Sequence, residues 1–262
     1  MDLLYLSVYV LPPYVVAMFL FGVAYRISRY VLMYRRVPIR RRSRPAFKLL
    51  VGLVKTFIDP LVITARFRVS DFVGGLILLH ILGVIPLIFL LGQHVAMFSY
   101  WFPPYSALRF LSIPSSATSP ALTLTAPVKP TSSMSWTFVE SIWGPLTIVL
   151  NGDLLAVLAI MGVLYRLGDR LWKASRNMIH IRLGDFTALL LLLAILVTGF
   201  FATHHMPSGD IVTYRFVLGL HILLAETLVV ALPFTKFWHF VFGYWYGKLH
   251  EWYDLKYRRG AL

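Results

Sequence analysis

Eight histidines lie along this 262-residue chain. His180 and His250 fall in polar segments, and His204 and His205 in a short connection. The other four, His80, His94, His221 and His239, fall inside long apolar stretches. An ionisable side chain in hydrocarbon is costly and marks a functional site by default. A lone imidazole can serve a helix contact, but four on two stretches ask for a ligand. His221 and His239 are 18 residues apart, five full turns of an ideal α-helix, so they share one face. His80 and His94 are 14 apart, within about 40° of a common face by the same geometry. Two imidazoles from facing helices do not complete a zinc or copper site. They do complete a haem, whose macrocycle supplies the remaining ligands. The expectation is two non-covalent b-type haems, each held by two histidines. The chain has no cysteine, which excludes disulfides, thiolate zinc sites, iron–sulfur ligation by Cys and covalent haem attachment within it.

Elements that could position such residues must be membrane helices. Apolar residues make up 58% of the chain and charged residues 14%, with a mean hydropathy of +0.73. A soluble domain averages about 45–50% and about 25%. The composition therefore predicts an all-α integral membrane bundle, one membrane domain over 1–262. Five stretches approach the ~20 apolar residues of a span: 3–25, 72–100, 145–165, 186–202 and 214–244. The first lacks a basic lead-in and an A-x-A site, so it reads as a span and not a cleaved signal peptide.

Net charge is +14, and its distribution is one-sided. Twelve Lys and Arg lie between Arg26 and Arg68, five between Arg166 and Arg182, and four after Tyr244. The alternate connections hold only Arg109 and Lys129. This asymmetry predicts an outside N-terminus and a cytoplasmic C-terminus in the cell (plasma) membrane. It accounts for the charge without nucleic acid, and leaves a basic face for anionic lipid or an acidic partner. Asn occurs twice and Gln once, a depletion that points towards a hyperthermophilic source. Segment 45–68 mixes apolar residues with Lys48, Lys55, Asp59 and Arg66, and reads as a cytoplasmic interfacial helix broken at Pro60. The long outer loop, 101–143, is rich in Pro, Ser and Thr and too polar for a core of its own.

Depth then pairs the histidines. The second span runs inside to outside and the fifth runs back, so His80 meets His239 at an inner site and His94 meets His221 at an outer one. Ideal helices separate the ligands by ~21 Å on one and ~27 Å on the other, and Pro86 and Pro233 offer places to bend. Gly74, Gly75, Gly83, Gly92, Gly219 and Ala225 could seat a flat macrocycle or serve ordinary helix packing. Asp153 and Glu226 are acids within spans, able to relay protons or to hydrogen-bond between helices.

The stretch RFVLGLHILLAETLVVALPFTKFWH, Arg215 to His239, resembles the last helix of the respiratory nitrate reductase gamma subunit. That family has two histidines eighteen apart with a Pro-Phe-(Ser/Thr)-basic run before the second, matched here by Pro233, Phe234, Thr235 and Lys236. The lead-in ARFRVSDFVGGLILLH is similar to membrane cytochromes of heterodisulfide-reductase and Dsr-type complexes. One departure is clear: the family spaces its second-helix ligands ten apart, position 90 here is Leu, and His94 is the remaining candidate on that stretch. The resemblance implies a membrane anchor that moves electrons between quinone or quinol and an iron–sulfur subunit joined to a catalytic subunit, with no catalytic domain in this chain. It also implies a quinone site near the outer haem, for which Lys129, Arg109 and Asp153 are candidates; for the two basic residues loop solvation is the plain alternative. A proton-relay transporter or channel and a non-redox anchor are the competing readings, the first disfavoured by the lack of an inverted repeat.

Overall fold

The computed structural model describes residues 2–36, 46–115, 121–125, 133–137, 141–177, 183–235 and 237–238. These residues are helical except for loops and one antiparallel hairpin, β1 (Ala121–Thr125) with β2 (Ser133–Thr137). The helices are α1 (Leu3–Tyr5), which runs into a π-turn over Leu6–Val10, then α2 (Pro12–Arg36), α3 (Ala46–Phe67) and a π-helix over Asp71–Val84. They continue with α4 (Ile85–Leu90), α5 (Gly92–Trp101), α6 (Gly152–Ser175), α7 (Leu183–Thr203) and α8 (Ile211–Ala231).

Among the described residues three stretches are long and apolar enough to cross a membrane: Asp71–Leu90, Phe186–Thr203 and Ile211–Phe234. A fourth joins Leu3–Val10 to Pro12–Arg29 across a 53° bend. Pro12 and Pro13 bring no N–H to the preceding turn, which is why the helix bends there. α6 is long enough at 24 residues, but Asp153, Arg166, Asp169, Arg170 and Lys173 leave only Leu154–Tyr165 free of charge.

Several sequence expectations need correction. The stretch expected as a span over 145–165 begins as a 3-10 turn, Gly144–Ile148, and its helix starts only after Asn151, whose side chain accepts from the Leu154 N–H. Within the stretch expected over 214–244, α8 gives way at Pro233, one of the expected places to bend, to a 3-10 turn, Leu232–Phe234, and Thr235 is extended. α3 passes through Pro60 without a break. Val54, Ile58, Val62, Ile63 and Phe67 are exposed along it, an apolar surface suited to lipid.

The best-knit seam joins α6 to the π-helix. A Cβ on Gly162 would stand 2.9 Å from the Leu79 backbone N, and one on Gly83 2.7 Å from the Ala159 Cβ. Gly74 lies under the Tyr165 ring. Between helices in lipid the hydrophobic drive is absent, so close backbone approach through small residues supplies the contact. These glycines are thus consumed by helix packing. Gly219 likewise lies against the Leu3–Leu4 backbone. None of the four faces a gap that a macrocycle could fill. An ion pair between Arg166 and Asp71 ties the end of the same seam.

The loop after α5 is anchored at its ends. A 3-10 helix, Pro103–Leu111, leads into Ile113, which is 1% exposed. The Trp143 indole N–H donates to the Leu111 carbonyl at 2.8 Å, and Ser141 Oγ donates to the Ser112 carbonyl at 2.8 Å.

Candidate functional site

The π-helix and the break that follows it decide where the second stretch points its histidines. A π-helix bonds each N–H five residues back, so side chains advance by a smaller angle than in an α-helix. The 100° count from His80 to His94 therefore does not hold. At Leu91 the backbone turns to ψ 127°, and the ladder is interrupted. The Leu91 N–H donates to the Pro86 carbonyl at 3.0 Å, and the Gly92 N–H leaves the helix for the Ile113 carbonyl at 2.9 Å. Ile113 N–H donates in return to the Leu90 carbonyl at 2.8 Å. The break removes the Leu87 carbonyl's usual helical donor, the Leu91 N–H.

That carbonyl is where His94 is held. His94 Nδ1 lies 2.6 Å from the Leu87 oxygen. His80 Nδ1 lies 2.5 Å from the Gly75 oxygen, and His221 Nδ1 lies 3.0 Å from the Ile195 oxygen. A carbonyl oxygen only accepts, so in each ring Nδ1 carries the proton and donates it. A neutral imidazole protonated at Nδ1 leaves Nε2 with its lone pair, the state in which histidine ligates metal. All three described membrane histidines share this polarity.

The structure brings His94 and His221 together. Their rings are parallel to within 5°, with centroids 6.0 Å apart. That is well beyond the ~3.5–4.0 Å of atoms in van der Waals contact. A separation of this size would admit one metal ion between the rings at the ~2.0–2.1 Å of a metal–imidazole bond. α8 packs on α7 and on the first helices, and α5 on the loop helix Pro103–Leu111; the two rings meet from α5 and α8. On α7, Gly199 supplies the clearance for His221: a Cβ there would stand 2.8 Å from its Cε1 and 3.1 Å from its Nδ1. Phe98 lies 6.0 Å from the His94 ring, and Tyr105 meets Phe98 edge-on at 5.4 Å. The Tyr105 hydroxyl donates to the Phe89 carbonyl at 2.9 Å. Burial pushes this phenol above its usual range, so it remains a donor.

Among the described residues no group of three or more His, Asp or Glu converges to hold a metal ion. A two-imidazole pair suits a metal that arrives with its other ligands attached.

The remaining candidates are scattered. His239 and Lys129 lie outside the described residues, as does Lys236. The inner pairing of His80 with His239 therefore has only its His80 half on view. Arg109 is exposed on the 3-10 helix Pro103–Leu111. Asp153 Oδ1 is 2.8 Å from His204 Nε2, an ion pair whenever His204 is protonated, with both side chains about a third exposed. His205 stacks on Tyr214 at 4.6 Å. Sequence reasoning missed Ile195, Gly199, Leu87 and Ile113. Backbone acceptors leave no mark in a sequence, but the Gly in Thr198-Gly199-Phe200 is a legible signal of close approach within an apolar helix.

No protein-family model, no curated protein and no solved structure matches this chain. The functional reading therefore rests on the residues themselves.

Proposed function

We propose that this chain is a membrane-anchoring dihaem cytochrome b subunit with five spans and an outside N-terminus. In this reading it carries electrons between a quinone or quinol and an iron–sulfur subunit of a larger oxidoreductase. The observation that carries the reading is the His94–His221 pair: parallel rings 6.0 Å apart, each tied through Nδ1 to a backbone carbonyl. With each Nδ1 engaged by a carbonyl, His94 and His221 would hold one haem through their Nε2 lone pairs. His80 has the same tautomer and is assigned with His239 to a second haem.

The chain's own residues then do three things. The Leu87 and Ile195 carbonyls orient the ligand rings and raise their basicity. Gly199 leaves room for the His221 ring. The aromatic wall of Phe98 and Tyr105 keeps water from His94 and lowers the local dielectric, one of the protein's levers on redox potential. When bound, haem supplies one-electron carriage. Its proposed setting is a quinone-linked complex in the plasma membrane, with the substrate chemistry carried by iron–sulfur and catalytic subunits. Lys129, Arg109 and Asp153 remain the proposed quinone contacts.

The test is direct. Protein purified from haem-replete cells should give b-type bands in a dithionite-reduced minus oxidised spectrum, at about two haems per chain. A colourless protein that stays colourless on haem titration refutes the proposal and favours the relay or anchor readings.

A further inference from the structure

Glu226 plays no part in that reading. It is 8% exposed, and neither carboxyl oxygen has a hydrogen-bond partner among the described residues. A stripe at helical spacing on α8 and the turn after it fixes its surroundings: Arg215, Gly219, Ile222, Glu226 and Pro233. The other four all meet the first helices. Arg215 Nε donates to the Asp2 carboxylate at 2.6 Å. A Cβ on Gly219 would stand 2.6 Å from Leu4 N. Ile222 packs with Leu4 and Val8. The Pro233 carbonyl accepts from Arg26 Nε at 2.6 Å. Glu226 therefore sits in the seam between α8 and the first span. It lies between the Leu4–Val8 contact and the Arg26–Pro233 contact, the interval that holds the 53° bend at Leu11–Pro12.

Among the described residues the charges facing this seam are distant. Arg215 is 11 residues from Glu226, about 16 Å along the axis, and is engaged by Asp2. Arg26 is anchored at Pro233, seven residues away, about 10 Å along the axis. An ionised carboxylate in hydrocarbon without a partner is far costlier than a neutral acid. Towards the Asp2 end, on the same turn that carries Leu4 and Val8, is a fully buried hydroxyl, Ser7, which donates to the Leu4 carbonyl at 3.2 Å. Towards the other end stands a guanidinium, which keeps its proton and repels an arriving one.

We propose that Glu226 is a proton-binding site: a neutral carboxylic acid at mid-seam that exchanges its proton with the Asp2–Arg215 end of the bundle and not with the Arg26 end. The site is independent of what the histidines hold.

Infrared spectroscopy of the full-length protein in lipid tests this. The wild type should show a protonated-carboxyl stretch that shifts in deuterium oxide and is missing in Glu226→Gln. N,N′-dicyclohexylcarbodiimide, which reacts with protonated buried carboxyls, should add its mass to the Glu226 peptide and not to the variant's. Ser7→Val should slow deuterium uptake by that band several-fold, and Arg26→Gln should not slow it. Glu226→Leu should fold with a melting temperature no lower than the wild type, since it removes an unpaired polar group. Identical wild-type and Glu226→Gln spectra in the acid region would show an ionised, partnered carboxylate and overturn the site. Unslowed exchange in Ser7→Val would overturn the route, and loss of folding in Glu226→Leu would make the residue structural.

Discussion

Gly199→Ala isolates the His94–His221 site from the rest of the bundle. The added methyl would stand 2.8 Å from His221 Cε1 and 3.1 Å from Nδ1. Relaxed carbon contacts lie at ~3.5–4.0 Å, so the ring must retreat by roughly 0.7 Å. The bond from Nδ1 to the Ile195 carbonyl is already 3.0 Å, and such a retreat carries it past the ~3.2 Å limit of an N–H···O bond. Loss of an outer-shell partner of this kind costs about 10–100-fold in metal affinity. The fold should survive: overpacking costs about 1–3 kcal/mol, and alanine regains about 0.8–1.0 kcal/mol of helix propensity. The assay is haem per polypeptide by pyridine haemochrome, with thermal melting alongside. Expected is a fall from about two haems towards one, with a melting temperature shifted by only a few degrees. Gly168→Ala, where nothing lies within 4 Å, is the control and should keep both pigments. Retention of both haems in Gly199→Ala, at unchanged potentials, would refute the placement of His221 as a ligand against α7.

Three further outcomes are expected. On the proposed reading, in which both histidines serve one centre, His94→Ala and His221→Ala should each remove the same spectral component, and the double variant should lose no more than either; additive losses would separate them. Ile113→Pro deletes the N–H that donates to the Leu90 carbonyl and should cost about 1–3 kcal/mol while lowering occupancy of the same centre, read by melting and absorbance together. Asp210 caps α8 by accepting from the Thr213 N–H. The Ser208 hydroxyl and that N–H hold its carboxyl well below the usual carboxylate range. A depressed folded-state pKa gives stability that is present above the ordinary value of 3.8 and is lost as pH falls through the folded one. The melting curves of wild type and Asp210→Ala should thus differ at neutral pH and converge in strong acid; a constant gap would exclude the cap's carboxylate as the cause.

The membrane character was legible because it needs only composition and run length, and the apolar runs around His80, Leu192 and His221 are dense enough to survive any local irregularity. Depth along antiparallel runs was also enough to set His94 beside His221. What failed was phase. Counting 100° per residue assumes an unbroken α-ladder, and neither the π-helix over Asp71–Val84 nor the break at Leu91 announces itself in an apolar sequence with one proline at position 86. α6 shows the opposite difficulty: Arg166 pairs with Asp71, a partner remote in sequence that no local reading supplies, while Lys173 pairs with Asp169 one turn back on the same helix. Gly74, Gly83 and Gly219 looked equally suited to a cofactor or a neighbour, and only the positions of Tyr165, Ala159 and the Leu3–Leu4 backbone decide for the neighbour.

The irregular backbone has a chemical consequence. In an unbroken α-helix an interior carbonyl already accepts the N–H four residues on, and an imidazole must share that acceptor, as His221 does at Ile195 on an intact α7 at 3.0 Å. His94 has a shorter bond, 2.6 Å, to a carbonyl whose helical donor has been redirected to Pro86. His80, within the π-ladder, is at 2.5 Å from a carbonyl five residues back. π-type segments recur at functional sites, and here they give the imidazoles of the second stretch close acceptors along their own chain. If that is their purpose, restoring a regular ladder works against the site. Deleting Leu91, the residue at which the helix breaks, should lengthen or abolish the His94–Leu87 bond, and with it the alignment of the two parallel rings, even where the helix itself becomes more regular and more stable. A variant that gains helicity by circular dichroism yet keeps its pigment and potential would show that the break serves packing alone.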